Sequence, residues 1–140
     1  MVDFLEFNRG VIEEFRANEG VCSGPFEGSP MILITMTGAK TGRELVSPLV
    51  YTTDGGDVVI IASKGGAPEH PNWYHNLVAN PTVTVEIGNE KWEATAQVTE
   101  GDERKRLYDA QAAVLPVFTG YEETATAAGR EIPVFRLVRN

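Results

Sequence analysis

The chain has 140 residues, and its 42% hydrophobic content predicts a single domain with one core, spanning residues 1–140. Its 20 acidic residues outnumber its 12 Lys and Arg, which gives a net charge of -8. This balance disfavours nonspecific binding to nucleic acid or anionic membranes, so an anionic ligand needs a local cluster of positive charge. Because no long apolar run is present, we predict a cytoplasmic protein without an integral membrane segment. The lone Cys22 has no partner for an internal disulfide and is expected to be a packing thiol.

The first 20 residues have the pattern of an amphipathic helix. Phe7, Val11 and Phe15 recur at helical spacing, and acidic residues occupy many of the positions between them. We expect this helix to end near Gly20 and to pack on the rest of the domain, because its acidic residues argue against insertion into an anionic bilayer. The Gly, Pro and Ser content of residues 22–30 predicts a loop.

After residue 30 the sequence changes to strand periodicity, with apolar runs separated by Gly, Asp and Asn turns. The six predicted strands are residues 31–36, 45–52, 58–63, 82–87, 91–98 and 132–138. Further helices are predicted from about Pro71 to Asn80 and from a capping Asp102 to about Val114. Tight turns suffice only between antiparallel neighbours, so the pattern predicts a mainly β domain of the α+β class. It would be a closed or half-open barrel of about six mostly antiparallel strands with the N-terminal helix and two or three others. Pro48 indicates that the second strand has an edge or a bulge.

Two glycine-containing loops follow predicted strands. The first glycine loop, residues 37–43, has the sequence Thr-Gly-Ala-Lys-Thr-Gly-Arg, and the second glycine loop, residues 62–68, has the sequence Ala-Ser-Lys-Gly-Gly-Ala-Pro. Backbone N–H groups and cations of both loops could converge on an anion. The first loop does not match the phosphate loop of nucleotide hydrolases, because Ala39 precedes Lys40 and a strand follows, so an ordinary hairpin turn is the alternative.

A third segment, Pro71 to Asn76, places two aromatic residues in the first turn of a helix, where the backbone favours anions. Trp73 could lie against a planar ring, although core packing is the ordinary role of an aromatic side chain. His70 and His75 are five residues apart and have no third ligand nearby, so we predict no metal site. Ser63 lacks the glycine-flanked elbow of a serine hydrolase.

The sequence resembles the deazaflavin-dependent nitroreductases, a branch of the split β-barrel flavin and deazaflavin oxidoreductases. The resemblance rests on five ordered motifs, which are residues 37–42, 62–68, 71–77, 79–81 and 130–134, and it extends over about residues 30–138. It implies a split β-barrel that binds coenzyme F420, a deazaflavin with a phosphate and a polyglutamate tail, and that uses the reduced form, F420H2, as a hydride donor.

The resemblance also implies the site residues. The implied cofactor contacts are Ala39, Lys40, Thr41, Gly42, Arg43, Pro48, Leu49, Ile61, Ala62, Ser63, Lys64, Asn72, Trp73, Tyr74, His75 and Asn76. Tyr121 matches a family tyrosine that lines the acceptor pocket. We predict Ser63 and Tyr121 as the catalytic residues, with hydride passing to a quinone, an unsaturated lactone or enone, or a nitroaromatic compound and with the proton coming from water, Ser63 or Tyr121. Leu45 stands where relatives have a basic residue, and Thr124 and Ala127 stand where they have aromatic residues, which implies a less aromatic acceptor pocket.

Two further expectations concern partners. A quinone acceptor would bring the protein to a membrane surface peripherally, and either a monomer or a homodimer is compatible with the sequence. The alternative to a reductase is a non-catalytic protein that binds or carries F420, a flavin or haem.

Overall fold

The computed structural model describes residues 4–22 and 30–140, so most of the predicted loop at residues 22–30 lies outside the described residues. The first half of the chain forms helix α1 (Phe4–Ala17), β1 (Met31–Thr37), β2 (Glu44–Val50), β3 (Thr52–Asp54), β4 (Asp57–Ile61) and a single 3-10 turn (Lys64–Gly66). The second half forms α2 (Asn72–Ala79), β5 (Thr82–Ile87), β6 (Glu90–Val98), α3 (Gly101–Val114), α4 (Val117–Ala127) and β7 (Val134–Arg139). None of the described helices is long and apolar enough to span a bilayer.

The strands of the described residues form one antiparallel sheet in the order β2-β1-β5-β6-β7-β4-β3. β2 and β3 are consecutive and separated only by Tyr51, yet they stand at opposite ends of this order. The sheet therefore curls into a half-barrel whose two edges approach each other at Tyr51. This confirms the predicted antiparallel barrel architecture, and Pro48 lies on the edge strand β2, opposite Leu33.

The sheet has seven strands where about six were predicted, because the run from Leu45 to Thr52 is divided. Residues up to Val50 pair with β1, whereas Thr52 pairs with Val59 of β4. Both halves of the run have strand periodicity, so the sequence pattern does not reveal the change of partner. The N-terminal helix and three further helices also agree with the prediction, although α3 begins at Gly101 and no side chain caps it.

Side chains on the two faces of the sheet pack into different clusters, which explains why β1 and β4 are almost continuously apolar. In β4, Val58 and Ile60 face the cluster that includes Leu77 of α2. Val59 and Ile61 face the cluster built with α3 and α4. Because successive strand residues point to opposite faces, a strand that is covered on both sides needs apolar residues at every position.

Helix α1 covers part of β1 and β2, as its amphipathic pattern predicts. Val11 and Phe15 are buried against Cys22, Met31 and Leu33. Cys22 is thus a packing thiol, and its burial raises its pKa.

Candidate functional site

The first glycine loop forms the hairpin between β1 and β2 and presents its polar side chains to solvent. Gly38 donates from its backbone N–H to the carbonyl of Arg43 at 2.8 Å, and Gly42 donates to the carbonyl of Gly38 at 3.0 Å. The hydroxyl oxygen of Thr41 accepts the backbone N–H of Arg43 at 3.2 Å. Gly42 has φ +70°, a conformation that favours glycine. The hairpin is therefore closed by its own backbone, and Lys40, Thr41 and Arg43 are left exposed.

Helix α2 is joined to this loop through two asparagines. The Asn76 side-chain oxygen accepts the backbone N–H of Ala39 at 2.9 Å, and its amide nitrogen lies 3.7 Å from the sulfur of Met36. Asn80 donates to the carbonyl of Thr37 at 3.4 Å. Both polar atoms of the Asn76 amide contact the protein itself, so the role of Asn76 in this structure is to hold the first glycine loop against α2.

A cavity of about 320 Å³ lies between the first glycine loop and α2. Its lining residues are Gly38, Ala39, Lys40, Thr41, Leu45, Asn72, His75 and Asn76. Six of them are predicted cofactor contacts that are distant in sequence, and the fold brings them together. None of the lining residues is acidic, although the chain has 20 Asp and Glu. A lining that includes a hydroxyl, side-chain amides, an imidazole and one Lys beside apolar Leu45 suits an anionic ligand, which is the chemistry of the F420 phosphate and carboxylates.

The neighbouring aromatic residues of α2 pack against the protein. The rings of Trp73 and Tyr74 lie 5.9 and 5.8 Å from the ring of Phe135, with centroid distances typical of aromatic pairs. Both side chains are half-buried beside the cluster that includes Leu77. Their contact with a cofactor ring stays a prediction, and in this structure they have the packing role that was the alternative.

The second glycine loop packs against α4. A Cβ on Gly66 would lie 2.7 Å from the backbone oxygen of Tyr121, and Gly66 has φ +81°. Gly66 therefore permits a close approach of α4. The sequence pattern predicts that backbone N–H groups of this loop face an anionic ligand. Lys64 has φ +48°, which is unusual for a residue with a side chain, and its ammonium pairs with Glu69 at 3.1 Å.

A buried arginine holds the second glycine loop, and sequence reasoning gave it no role. Arg130 is 8% exposed. It donates from Nη1 to the carbonyls of Ser63 and Ala67 at 2.9 and 2.8 Å, and from Nη2 to the carbonyl of Ala62. Its Nε donates to Nδ1 of His70 at 2.8 Å. Burial lowers the pKa of Arg130, and burial together with the nearby guanidinium lowers the pKa of His70.

Ser63 and Tyr121, the two predicted catalytic residues, lie on segments that touch. Ser63 is half-buried immediately before the 3-10 turn, and among the described residues its hydroxyl has no hydrogen-bond partner. Tyr121 is half-buried on α4, with its ring 5.2 Å from the ring of Phe118. Their segments meet where Gly66 contacts the backbone of Tyr121.

The remaining predicted contacts are more enclosed or lie off the cavity. Ile61 is 6% exposed and Ala62 is fully buried, each in a different core cluster. Pro48 and Leu49 are half-buried on β2. The lining of the 320 Å³ cavity does not include Gly42, Arg43 or any residue of the second glycine loop.

Comparison with known proteins now identifies the class. The profile of the F420H(2)-dependent quinone reductase family matches residues 7–139. Rv3178 of Mycobacterium tuberculosis, whose name assigns it provisionally to these reductases, is 33% identical over 108 residues, covering 77% of this chain and 88% of its own. A solved F420-H2 dependent reductase, FDR-A, is 38% identical with a TM-score of 0.70, covering 77% of this chain and 93% of that one.

A second solved structure, described as a domain-swapped dimer, is 32% identical with a TM-score of 0.72 and covers 96% of this chain and 99% of its own. The chain therefore belongs to the F420H(2)-dependent quinone reductase family. This confirms the resemblance drawn from the five motifs, the split-barrel fold and the assignment as an F420H2-dependent reductase. The same evidence favours an enzyme over the alternative of a non-catalytic carrier.

Proposed function

We propose that this reductase transfers hydride from F420H2 to a conjugated electrophilic acceptor. A quinone is the first candidate, because quinone reduction names the family, and unsaturated lactones, enones and nitroaromatic compounds share the same electron-poor conjugated system. When bound, F420H2 supplies the hydride, and a proton completes reduction of the acceptor.

The observation that carries the proposal is the cavity without carboxylates. In a chain of net charge -8, a concave site lined by Lys40, Thr41 and Asn72 and without any acidic residue is suited to an anion. Residues that we propose to hold the phosphate and tail are Lys40 and Thr41 on the loop and Asn72 and His75 on α2. Asn76 acts by holding Ala39 in place.

The chain's own part in the reaction is mainly to bind and orient, because hydride transfer between two held molecules gains most from proximity. We propose that the Ser63 hydroxyl, which is without a partner among the described residues, hydrogen-bonds the reacting system. Tyr121, on the adjacent helix, would line the acceptor site and deliver or relay the proton. No strong base is required, since the proton can also come from water.

The test is a titration of the purified protein with F420 and, separately, with FMN, following Trp fluorescence, and then a reoxidation assay of F420H2 with a menaquinone analogue. We expect F420 to bind in preference to FMN and the quinone to reoxidise F420H2. Binding without reoxidation by a quinone, an enone or a nitroaromatic compound would support the carrier alternative. Preference for FMN would contradict the cofactor assignment.

Three finer statements belong to the same proposal. A quinone acceptor implies peripheral contact with a membrane surface. The domain-swapped dimer among the similar structures makes a homodimer one expected state in addition to the monomer. A cytoplasmic location stays a prediction from composition.

A further inference from the structure

We propose that Arg130 is a positioning residue that fixes the second glycine loop in the geometry required for hydride transfer. The inference rests on the proposed function, because it assigns to that loop the ring end of the cofactor site.

The contacts of Arg130 are concentrated on one short segment. A single guanidinium donates to the carbonyls of Ala62, Ser63 and Ala67, which lie on either side of the 3-10 turn. It also donates to Nδ1 of His70, just before α2. Without it, the carbonyls of Ala62 and Ala67 would lose the guanidinium donor and that of Ser63 would keep only the N–H of Gly66, a costly outcome for polar groups removed from water.

The loop also contains a conformation that needs outside support. Lys64, directly after Ser63, has φ +48°, and an L-residue with a side chain pays for such a conformation in free energy unless its surroundings enforce it. The turn's own hydrogen bonds are only two, from Gly66 to the carbonyl of Ser63 at 3.0 Å and from Ala67 to the carbonyl of Lys64 at 3.2 Å. The guanidinium therefore supplies more hydrogen bonds to this segment than the turn supplies itself.

Arg130 also joins the two predicted catalytic residues into one unit. It follows α4 directly, and its backbone N–H donates to the carbonyl of Ala125 on that helix at 2.9 Å. The same helix carries Tyr121, whose backbone packs on Gly66. The guanidinium of Arg130 thus holds the backbone of Ser63, and the contact of Gly66 with the backbone of Tyr121 holds α4 against the same loop. Together these contacts fix Ser63 and Tyr121 relative to each other.

A second buried arginine provides a matched control. Arg104 is 7% exposed, donates to the carbonyl of Ile132 at 2.9 Å and lies 3.6 Å from a carboxylate oxygen of Glu122. Its guanidinium also lies 5.3 Å from the centroid of the Tyr108 ring. It is as buried as Arg130, but these contacts lie with α3, α4 and the start of β7 and not with the second glycine loop.

The experiment compares Arg130→Gln and Arg130→Lys with Arg104→Gln and Arg104→Lys, each assayed for kcat and KM with F420H2 and for amide hydrogen exchange of residues 62–67. We expect the Arg130 variants to lower kcat roughly tenfold or more, since small displacements of reacting groups have effects of this size, and to accelerate exchange in that segment. The Arg104 variants should lose stability while keeping kcat and the exchange rate of residues 62–67.

Chemical rescue distinguishes positioning from general destabilisation. Arg130 lines a cavity of about 330 Å³, which gives a small guanidinium a route to its position. We expect methylguanidinium at millimolar concentration to restore part of kcat in Arg130→Ala and to leave the kcat of Arg104→Ala unchanged, although Arg104 lines the same cavity. If Arg130→Gln does not fold, Arg130→Lys and the rescued Arg130→Ala carry the test.

Wild-type kcat and unchanged exchange in a folded Arg130 variant would overturn the inference. An equal loss of kcat in the Arg104 variants would also overturn it, because the effect would then be one of stability. Failure of the wild-type protein to bind F420 or to turn over any acceptor is a different result: it overturns the proposed function, and the exchange data still test the structural role of Arg130.

Discussion

The two glycine loops have similar sequences, each with small residues beside a Lys, but the protein uses them differently. The first loop is closed by its own backbone, is joined to α2 through Asn76 and leaves Lys40 exposed at a cavity. In the second loop, three carbonyls bind a buried arginine, Gly66 packs against α4 and Lys64 pairs with Glu69. The comparison teaches that a Gly-Lys pattern does not by itself separate a ligand-facing loop from one held by its own domain.

The largest expected effect is a difference in stability between a glycine substitution in the second loop and one in the first. Gly66→Ala places a Cβ 2.7 Å from a backbone oxygen at φ +81°, so strain and overpacking together should lower the free energy of unfolding by about 2–4 kcal/mol. Gly42→Ala has φ +70° and open space around its Cβ, so only the conformational cost of about 1 kcal/mol is expected. Urea denaturation of both variants measures the difference. Equal losses would show that Gly66 does not approach α4 as described.

The second prediction separates the two lysines. Lys40→Ala should weaken F420 binding about five- to tenfold at low salt, because Lys40 lines the proposed anion site, and the effect should shrink as salt screens the charge. Lys64→Ala should change binding less, since its ammonium already pairs with Glu69. Dissociation constants from Trp fluorescence at two salt concentrations provide the measurement. An unchanged constant for Lys40→Ala would contradict the placement of the tail.

Part of the fold could be predicted from the sequence, and part could not. The strands, the helices α1 and α2 and the barrel follow from local patterns, because the apolar run of β4 and the helical spacing in α1 are properties of neighbouring residues. The partner change at Tyr51 is not local, since residues 45–52 form one uninterrupted strand pattern.

The candidate site divides in the same way. Residue chemistry indicates Lys40 and the family resemblance adds Thr41 and Asn72. The fold brings all three to one cavity, and their cofactor role stays a prediction. The role of Arg130 depends on contacts with residues 60 to 68 positions away, and no spacing in the sequence indicates them. Only the family resemblance singles out the motif at residues 130–134 that contains this arginine.

A third prediction tests how the first loop is held. Asn76→Ala removes the acceptor for the Ala39 N–H and should lower the free energy of unfolding by about 1 kcal/mol. Asn76→Asp keeps an acceptor oxygen, so the hairpin should lose less stability, but the added negative charge at the cavity should weaken F420 binding. Urea denaturation and F420 titration of both variants separate holding the loop from contacting the ligand. If Asn76→Asp bound F420 as tightly as the wild type, the cavity would not be the anion site.

The smallest expected effect is a pH dependence of stability that comes from His70, which follows the second glycine loop. His70 accepts a hydrogen bond at Nδ1 from Arg130. The centroid of its ring lies 4.3 Å from that of Tyr74 and 6.3 Å from that of His75. Burial lowers the pKa of His70, and the positive charge of Arg130 and the proximity of His75 lower it further. The unfolded chain, with an ordinary His pKa of about 6.5, therefore binds the proton more readily than the folded protein.

Stability from this group is accordingly complete above about pH 6.5 and declines as the pH falls below that value towards the folded-state pKa. His70→Gln keeps an acceptor for Arg130 but does not titrate, so its free energy of unfolding should be flatter between about pH 7.5 and 5.5 than that of the wild type. The matched variant His75→Gln changes the residue that lines the cavity at the first loop and keeps His70 in place. Urea denaturation across this pH range checks both variants. A wild-type slope that survives in His70→Gln would show that the pH dependence of stability does not come from His70.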